Sequence, residues 1–172
     1  MQNLQSSRLY YRELLPSDDI GMFALDSDPE VHRYLGNNPV KDIGQSRAMI
    51  AFVREQYRTN GIGRMAVILK ETGEFTGWAG LKLETNINGH DRFYDLGYRF
   101  IREYWGNGYA TEAALFFVNY GFKVLHLQKI NASALTANTG SCKALQKAGL
   151  QFVETYDHEG MEAGWFEIIN PG

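Results

Sequence analysis

With one cysteine, Cys142, in 172 residues, the chain cannot form an internal disulfide, and that usage fits a reducing cytoplasm. No apolar run is long enough to span a bilayer, and Met1-Gln-Asn-Leu-Gln-Ser-Ser7 lacks the apolar core of a signal peptide. The net charge is −3 and no cluster of Lys or Arg stands out, so neither a nucleic-acid nor a membrane partner is expected. There is no internal repeat and no low-complexity tract. The phosphate-binding signatures of nucleotide enzymes are missing too. No Gly-Lys-Ser/Thr follows a glycine loop, and position 111, where a dinucleotide fingerprint needs its third glycine, is Thr111. What remains is one ordinary domain over residues 1–172, long enough to bury a sizeable core, with average apolar (44%) and charged (22%) content.

The informative stretch is Arg102-Glu-Tyr-Trp-Gly-Asn-Gly-Tyr-Ala-Thr-Glu-Ala113. Before it, Phe93 to Ile101 is β-branched and aromatic and reads as a strand. After it, Ala110, Ala113, Ala114, Phe117, Val118 and Phe122 recur at helical spacing. Gly106 and Gly108 therefore sit in a tight strand-to-helix turn. Glycines let backbone N–H groups approach an anion there, and the helix start adds unpaired donors. A second block, Asn138-Thr-Gly-Ser141-Cys-Lys-Ala-Leu145-Gln-Lys-Ala-Gly149-Leu150, opens a short helix and ends at a glycine cap.

The remaining segments alternate strand and helix patterns. Strands fit Arg8 to Leu14, Met65 to Leu69, Phe75 to Leu83, Lys129 to Leu135, Gln151 to Tyr156 and Trp165 to Ile169. Helical patterns run from Ser17, a candidate N-cap, to about Leu25, from Pro29 to Leu35, and from Ser46 to Arg58. The sum is a mixed α/β chain with a mainly antiparallel sheet, in which the strands flanking the Ala110 helix are candidates for a parallel pair.

Together, Trp105-Gly-Asn-Gly-Tyr-Ala-Thr-Glu-Ala113 and the Asn138 block resemble the GNAT superfamily of N-acetyltransferases, in particular the branch of bacterial ribosomal-protein N-terminal acetyltransferases. Arg8 to Asp19 is similar to that family's opening strand and helix start, and Asp28-Pro-Glu-Val-His-Arg-Tyr-Leu35 to a helix common in the branch. The resemblance implies a twisted seven-stranded sheet with helices on both faces and two splayed central strands. It also implies acetyl transfer from acetyl-CoA to a primary amine by direct attack in a ternary complex, with no metal.

The same resemblance distributes roles. Backbone amides of Trp105, Gly106, Asn107, Gly108, Tyr109, Ala110 and Thr111 would hold the pyrophosphate. The pantetheine arm, which carries two amides, would pair with Arg99, Phe100 and Ile101, and an N–H near Phe100 would face the thioester carbonyl. Asp95, or Glu84 on the preceding strand, would draw the amine proton through water. Many superfamily members place a tyrosine acid where this chain has Leu145. Ser141 would instead contact the departing sulfur, with Asn138 bonding pantetheine or capping the helix. Arg102, Lys143 and Lys147 are candidates for the 3′-phosphate, and Cys142 reads as packing. Two positions depart from the family pattern: Glu103, expected in solvent, and Trp105 before the first glycine. The acceptor pocket would be built by the His32–Tyr34 segment, the Asn86–Phe93 turn, which includes His90, and the last hairpin around Tyr156 and Trp165. The acceptor itself, a protein N-terminus, polyamine, amino sugar or amino acid, is left open, as is the choice between monomer and homodimer. A non-catalytic acyl-CoA sensor would keep the same glycine loop; the acid–base set of Asp95, Glu84 and Ser141 is what speaks for an enzyme.

Overall fold

The computed structural model describes residues 4–172 and is built on one eight-stranded sheet. The strands are β1 (Leu4–Gln5), β2 (Leu9–Arg12), β3 (Met65–Leu69), β4 (Phe75–Ile87), β5 (His90–Phe100), β6 (Lys129–Leu135), β7 (Gln151–His158) and β8 (Met161–Ile169). Their order is β1-β2-β3-β4-β5-β6-β8-β7, and every neighbouring pair is antiparallel except β5 and β6. The eighth strand is the two-residue β1, too short to leave an alternating pattern in the sequence. Helices α1 (Asp19–Asp26) and α2 (Ile43–Asn60) cover one face; α3 (Tyr109–Lys123) and α4 (Thr139–Lys147) cover the other.

Two apolar clusters hold the layers. On the α3 side Leu81, Leu96 and Phe100 of the sheet meet Ala113, Phe117 and Val118; on the opposite face Ala66 and Ile68 meet Met22, Leu25, Ile50 and Val53. Period-two alternation along β5 follows from this burial: Leu96, Tyr98 and Phe100 point toward α3, while Asp95 and Arg99 point toward α1 and α2.

Some boundaries move for identifiable reasons. Ser17 does not cap a helix. Pro16–Asp18 forms a 3₁₀ turn instead, in which Asp18 accepts the Leu15 N–H (2.7 Å) and both terminal nitrogens of Arg12 (2.8 Å each). The Pro29–Leu35 pattern collapses to a 3₁₀ turn over Val31–Tyr34. Helix α2 begins earlier, because Asp42 accepts from the Gln45 N–H (3.2 Å), and ends at Gly61 with φ 69°.

The strand pair that matters most is the weakest. β5 and β6 share one register pair, Asp95 with Asn131, and then diverge. On its other edge β5 stays paired with β4 from His90 to Phe100. Ile101 N–H donates across to Thr76 O on the β4 side (2.9 Å). Alternation of the ladder therefore turns the N–H groups of Tyr98 and Phe100 the other way, into the gap left by β6.

Candidate active site

The gap is the floor of a cleft of about 740 Å³ running between the Gly106–Gly108 turn and the tip of the β7–β8 hairpin. Residues 95–100 of β5, Ser133 to Leu135 of β6 and Ser141 of α4 all line it.

At one end stands the glycine turn. Gly106 and Gly108 have φ of 77° and 79°, a left-handed backbone that favours glycine, and Gly108 is the N-terminal cap of α3. Glu112 N–H is the first to turn back into the helix, onto Gly108 O (3.0 Å). Among the described residues the amides of Tyr109, Ala110 and Thr111 thus lack an internal acceptor, and so do those from Gly106 to Gly108. The Trp105 amide is the exception to the expected set: it donates to Arg102 O (3.0 Å). Trp105 instead braces the turn, its indole N–H donating to Phe100 O (2.8 Å), while Asn107 Nδ2 bonds Tyr104 O (3.0 Å) and Trp105 O (3.1 Å). Glu103 lies in solvent, as expected.

A clamp that the sequence did not announce fixes this turn from outside. Glu112 accepts from Arg8 N–H, from Arg8 Nε and from Ser6 Oγ, each at 2.7 Å, and Arg8 Nη1 donates to Asn107 O (2.7 Å). Burial opposes the Glu112 charge, but these donors outweigh it and hold the carboxyl below its ordinary pKa.

In the middle of the cleft, Ser141 is half-buried, and its N–H donates to Asn138 Oδ1 (3.2 Å), so Asn138 caps α4. The Ser141 hydroxyl lies 3.1 Å from the hydroxyl of Tyr98. Leu145 is buried in the α3-side core and lines the cleft with no polar atom. Cys142 packs against that same core with Sγ 3.6 Å from Leu135 O, and its burial pushes the thiol up.

On the α1–α2 side, Asp95 is not a free carboxylate. The guanidinium of Arg64 lies across β5, donating from Nη2 to Asp95 Oδ2 and from Nη1 to Gly80 O and to Asp95 O (2.6 Å). Gly97 makes room for it: a Cβ there would stand 2.6 Å from Arg64 Nη2. Burial pushes the Asp95 carboxyl above the ordinary range, with nearby Glu84 adding to the rise and Arg64 and Lys82 opposing it. Glu84 pairs with Lys82 (2.8 Å) and is less enclosed. Arg99 pairs with Asp26 (2.7 Å), and Arg64 and Arg99 both stack on Trp78, 5.3 and 5.0 Å from its ring centre.

The other expected residues divide. Tyr34, Phe93 and Tyr156 line the cleft. His32 is buried beside Asp26 (3.5 Å), and His90 stacks on the core residue Trp165 (4.5 Å, 8°), so neither imidazole faces the cleft. Arg102 is engaged by Asp28 (3.1 Å), whereas Lys143 and Lys147 are exposed on α4. Among the described residues no three His, Cys, Asp or Glu side chains gather as a metal site, and no helix is long and apolar enough to cross a membrane.

Residues 8–151 match the family described as "Acetyltransferase (GNAT) domain". The chain is 34% identical over 152 residues to an uncharacterized N-acetyltransferase, p20, of Bacillus licheniformis, covering 88% of this chain and 83% of that one. Solved structures share its fold, among them two from Vibrio species. A ribosomal-protein-S5-alanine acetyltransferase from Vibrio fischeri superposes with a TM-score of 0.79 at 16% identity, over 99% and 98% of the two chains. A spermidine N-acetyltransferase from Vibrio cholerae, in complex with CoA and spermine, gives 0.77 at 17% identity, over 96% and 97%.

Proposed function

The chain belongs to the GNAT acetyltransferase domain family, and on that premise we propose that it moves an acetyl group from acetyl-CoA to a primary amine by direct attack, with both substrates bound at once. One observation carries the reading. The open amides from Gly106 to Thr111 and the free β5 N–H groups of Tyr98 and Phe100 lie in one continuous cleft. An anion site and a strand edge joined this way suit a ligand with a pyrophosphate at one end and amide groups along its arm.

In this reading the turn amides hold the pyrophosphate, helped by the N-terminal end of α3. The arm pairs with the β5 edge, and the N–H of Tyr98 or Phe100 donates to the thioester oxygen as it becomes an oxyanion. Ser141 faces the sulfur. The amine enters from the α1–α2 side, where Asp95 and Glu84 stand. Asp95 is tied down by Arg64, so it takes the proton through water; its burial-raised pKa makes it a better base than an ordinary aspartate. Glu84 is the second candidate. Two carboxylates beside the gap, Asp95 and Glu84, favour catalysis over acyl-CoA sensing, since a sensor needs no proton acceptor.

The acceptor class stays as broad as the two structural neighbours make it, an alanine of ribosomal protein S5 in one and spermidine in the other. The branch likeness read from Trp105 and Ser141 makes a protein N-terminus one of the acceptors to test. CoA release, followed with a thiol reagent across peptides, polyamines, amino sugars and amino acids, tests the proposal. Amine-dependent release supports it; binding of acetyl-CoA without release from any amine favours the sensor.

A further inference from the structure

The phenol of Tyr98 has no role in the scheme so far, yet it sits at its centre. Its oxygen is 3.0 Å from Ser141 O and 3.1 Å from Ser141 Oγ, and both side chains line the cleft. We propose that Tyr98 is the positioning residue for Ser141: by donating a hydrogen bond to Ser141 Oγ, it frees the serine hydroxyl to donate a hydrogen bond to the sulfur that leaves. This rests on the acetyl-transfer reading above and adds a residue from β5 to it.

The argument is one of counting protons. Two hydroxyls in contact hold two hydrogens, and a hydroxyl donates only once. In the first arrangement Tyr98 donates to Ser141 O, and Ser141 Oγ–H donates to the phenolic oxygen. The serine hydrogen then points away from the sulfur. In the second arrangement Tyr98 donates to Ser141 Oγ, and the serine hydrogen is free to point into the cleft. Because both acceptors lie at nearly equal distance from one phenolic oxygen, the exchange needs only rotation of two O–H bonds and no movement of heavy atoms. Burial keeps the phenol protonated, its pKa pushed up to about 12, so the donor is present throughout the neutral range.

What selects between the arrangements is the charge on sulfur. A thioester sulfur is a poor acceptor, so the first arrangement is adequate before reaction. When the tetrahedral intermediate collapses, the C–S bond breaks with its electron pair going to sulfur, and the carbonyl re-forms from the oxyanion pair. The serine hydrogen then turns to the thiolate and the tyrosine hydrogen follows onto Oγ. Both hydroxyls keep their protons. The thiolate takes one from water, matching the proton the amine gave up. A hydrogen-bonded chain that tightens only as charge appears lowers the barrier without tightening ground-state binding. Leu145 leaves this part of the cleft without a tyrosine on α4, and Tyr98 supplies a phenol from the facing strand instead.

Steady-state kinetics of Tyr98→Phe, Ser141→Ala and the double variant test this. Tyr98→Phe keeps the ring and its packing. We expect it to lower kcat about tenfold or more, with KM for acetyl-CoA within about twofold of wild type. In the Ser141→Ala background it should lower kcat no further, because its effect passes through Ser141. An equal loss in both backgrounds, or a loss confined to KM, overturns the inference and leaves the acetyl-transfer reading standing. A wild type that binds acetyl-CoA but acetylates no amine overturns both. Should Tyr98→Phe not fold, 3-fluorotyrosine at position 98 serves instead. Its more acidic hydroxyl is a stronger donor of similar size, and kcat should rise about twofold; unchanged or lower turnover at neutral pH overturns the inference.

Discussion

Gly97→Ala adds a single methyl group to β5 and tests whether Arg64 governs Asp95. The backbone at Gly97 is ordinary extended strand, so alanine brings no torsional strain of its own. The new Cβ would stand 2.6 Å from Arg64 Nη2 and 2.9 Å from its Cζ, closer than such atoms approach, and the guanidinium must move. It is a buried group, with side-chain exposure of 10% against 17% for Asp95. Its bonds to Gly80 O, Asp95 O and Asp95 Oδ2 would be stretched or broken. Truncating a buried ion pair typically costs about 3–5 kcal/mol. Displacing one, with both charges still present, should cost less, about 2 kcal/mol, or roughly 4–8 °C in Tm for a domain of this size. The pH dependence separates this from plain steric damage. A carboxyl whose folded pKa lies above its unfolded value contributes stability below the unfolded pKa and loses it as pH rises through the folded one. Asp95 is such a group already, and removing Arg64 raises it further. The destabilisation by Gly97→Ala should therefore be smaller near about pH 4.5 than at about pH 7.5, and the acid limb of the pH–rate profile should move to higher pH. Paired thermal melts at the two pH values and a kcat/KM profile provide the readout. A loss as large at the lower pH as at the higher, or no loss at all, refutes the claim that Arg64 tunes Asp95.

Acetyl-CoA should raise the Tm of the wild type, and Gly108→Glu, which puts a charged side chain on a φ of 79° in the anion site, should abolish that rise; a thermal-shift titration reads both. Asp95→Asn should cut turnover by on the order of a hundredfold near neutrality and recover partly as pH rises and the amine deprotonates unaided. If instead Glu84→Gln flattens the profile and Asp95→Asn does not, Glu84 is the base. Glu112→Gln removes a carboxylate that gathers Arg8 and Ser6, and should cost about 1–2 kcal/mol. Because the Glu112 pKa is depressed, that contribution is present above the ordinary carboxylate range and fades as pH falls through the folded value; urea melts across that window, with acetyl-CoA affinity alongside, check it.

The glycine turn and the Asn138 helix were legible because each is local: a few consecutive residues fix the backbone and, in the turn, leave its amides open. Gly106, Gly108 and Asn138 do in the structure what their turn and cap chemistry required. Arg64 and Tyr98 were not legible, for opposite reasons. Arg64 follows a glycine loop and reaches its partner 31 residues away, a contact that only strand pairing creates. Tyr98 alternates with Leu96 and Phe100 and so reads as one more core aromatic; its hydroxyl matters only because α4 returns to that face. The Arg8–Glu112 clamp, 104 residues apart, was hidden in the same way. Asp95 shows the intermediate case, since its strand could be read while its ion pair could not.

The parting of β5 from β6 also bears on how this molecule avoids its own kind. An unpaired strand edge ordinarily invites a strand from another chain and so seeds aggregation. Here the exposed ladder at Tyr98 and Phe100 faces inward, between two strands of the same sheet. The flanking walls are α3 and α4 on one side and the Val31–Tyr34 turn on the other. A polypeptide carrying side chains at every second position on each face would clash with both walls, whereas a slender, unbranched chain with an amide or two would fit. Recruitment of a small molecule would thereby be separated from recruitment of a neighbour, and the sheet can keep a gap in its middle without becoming sticky at its rim.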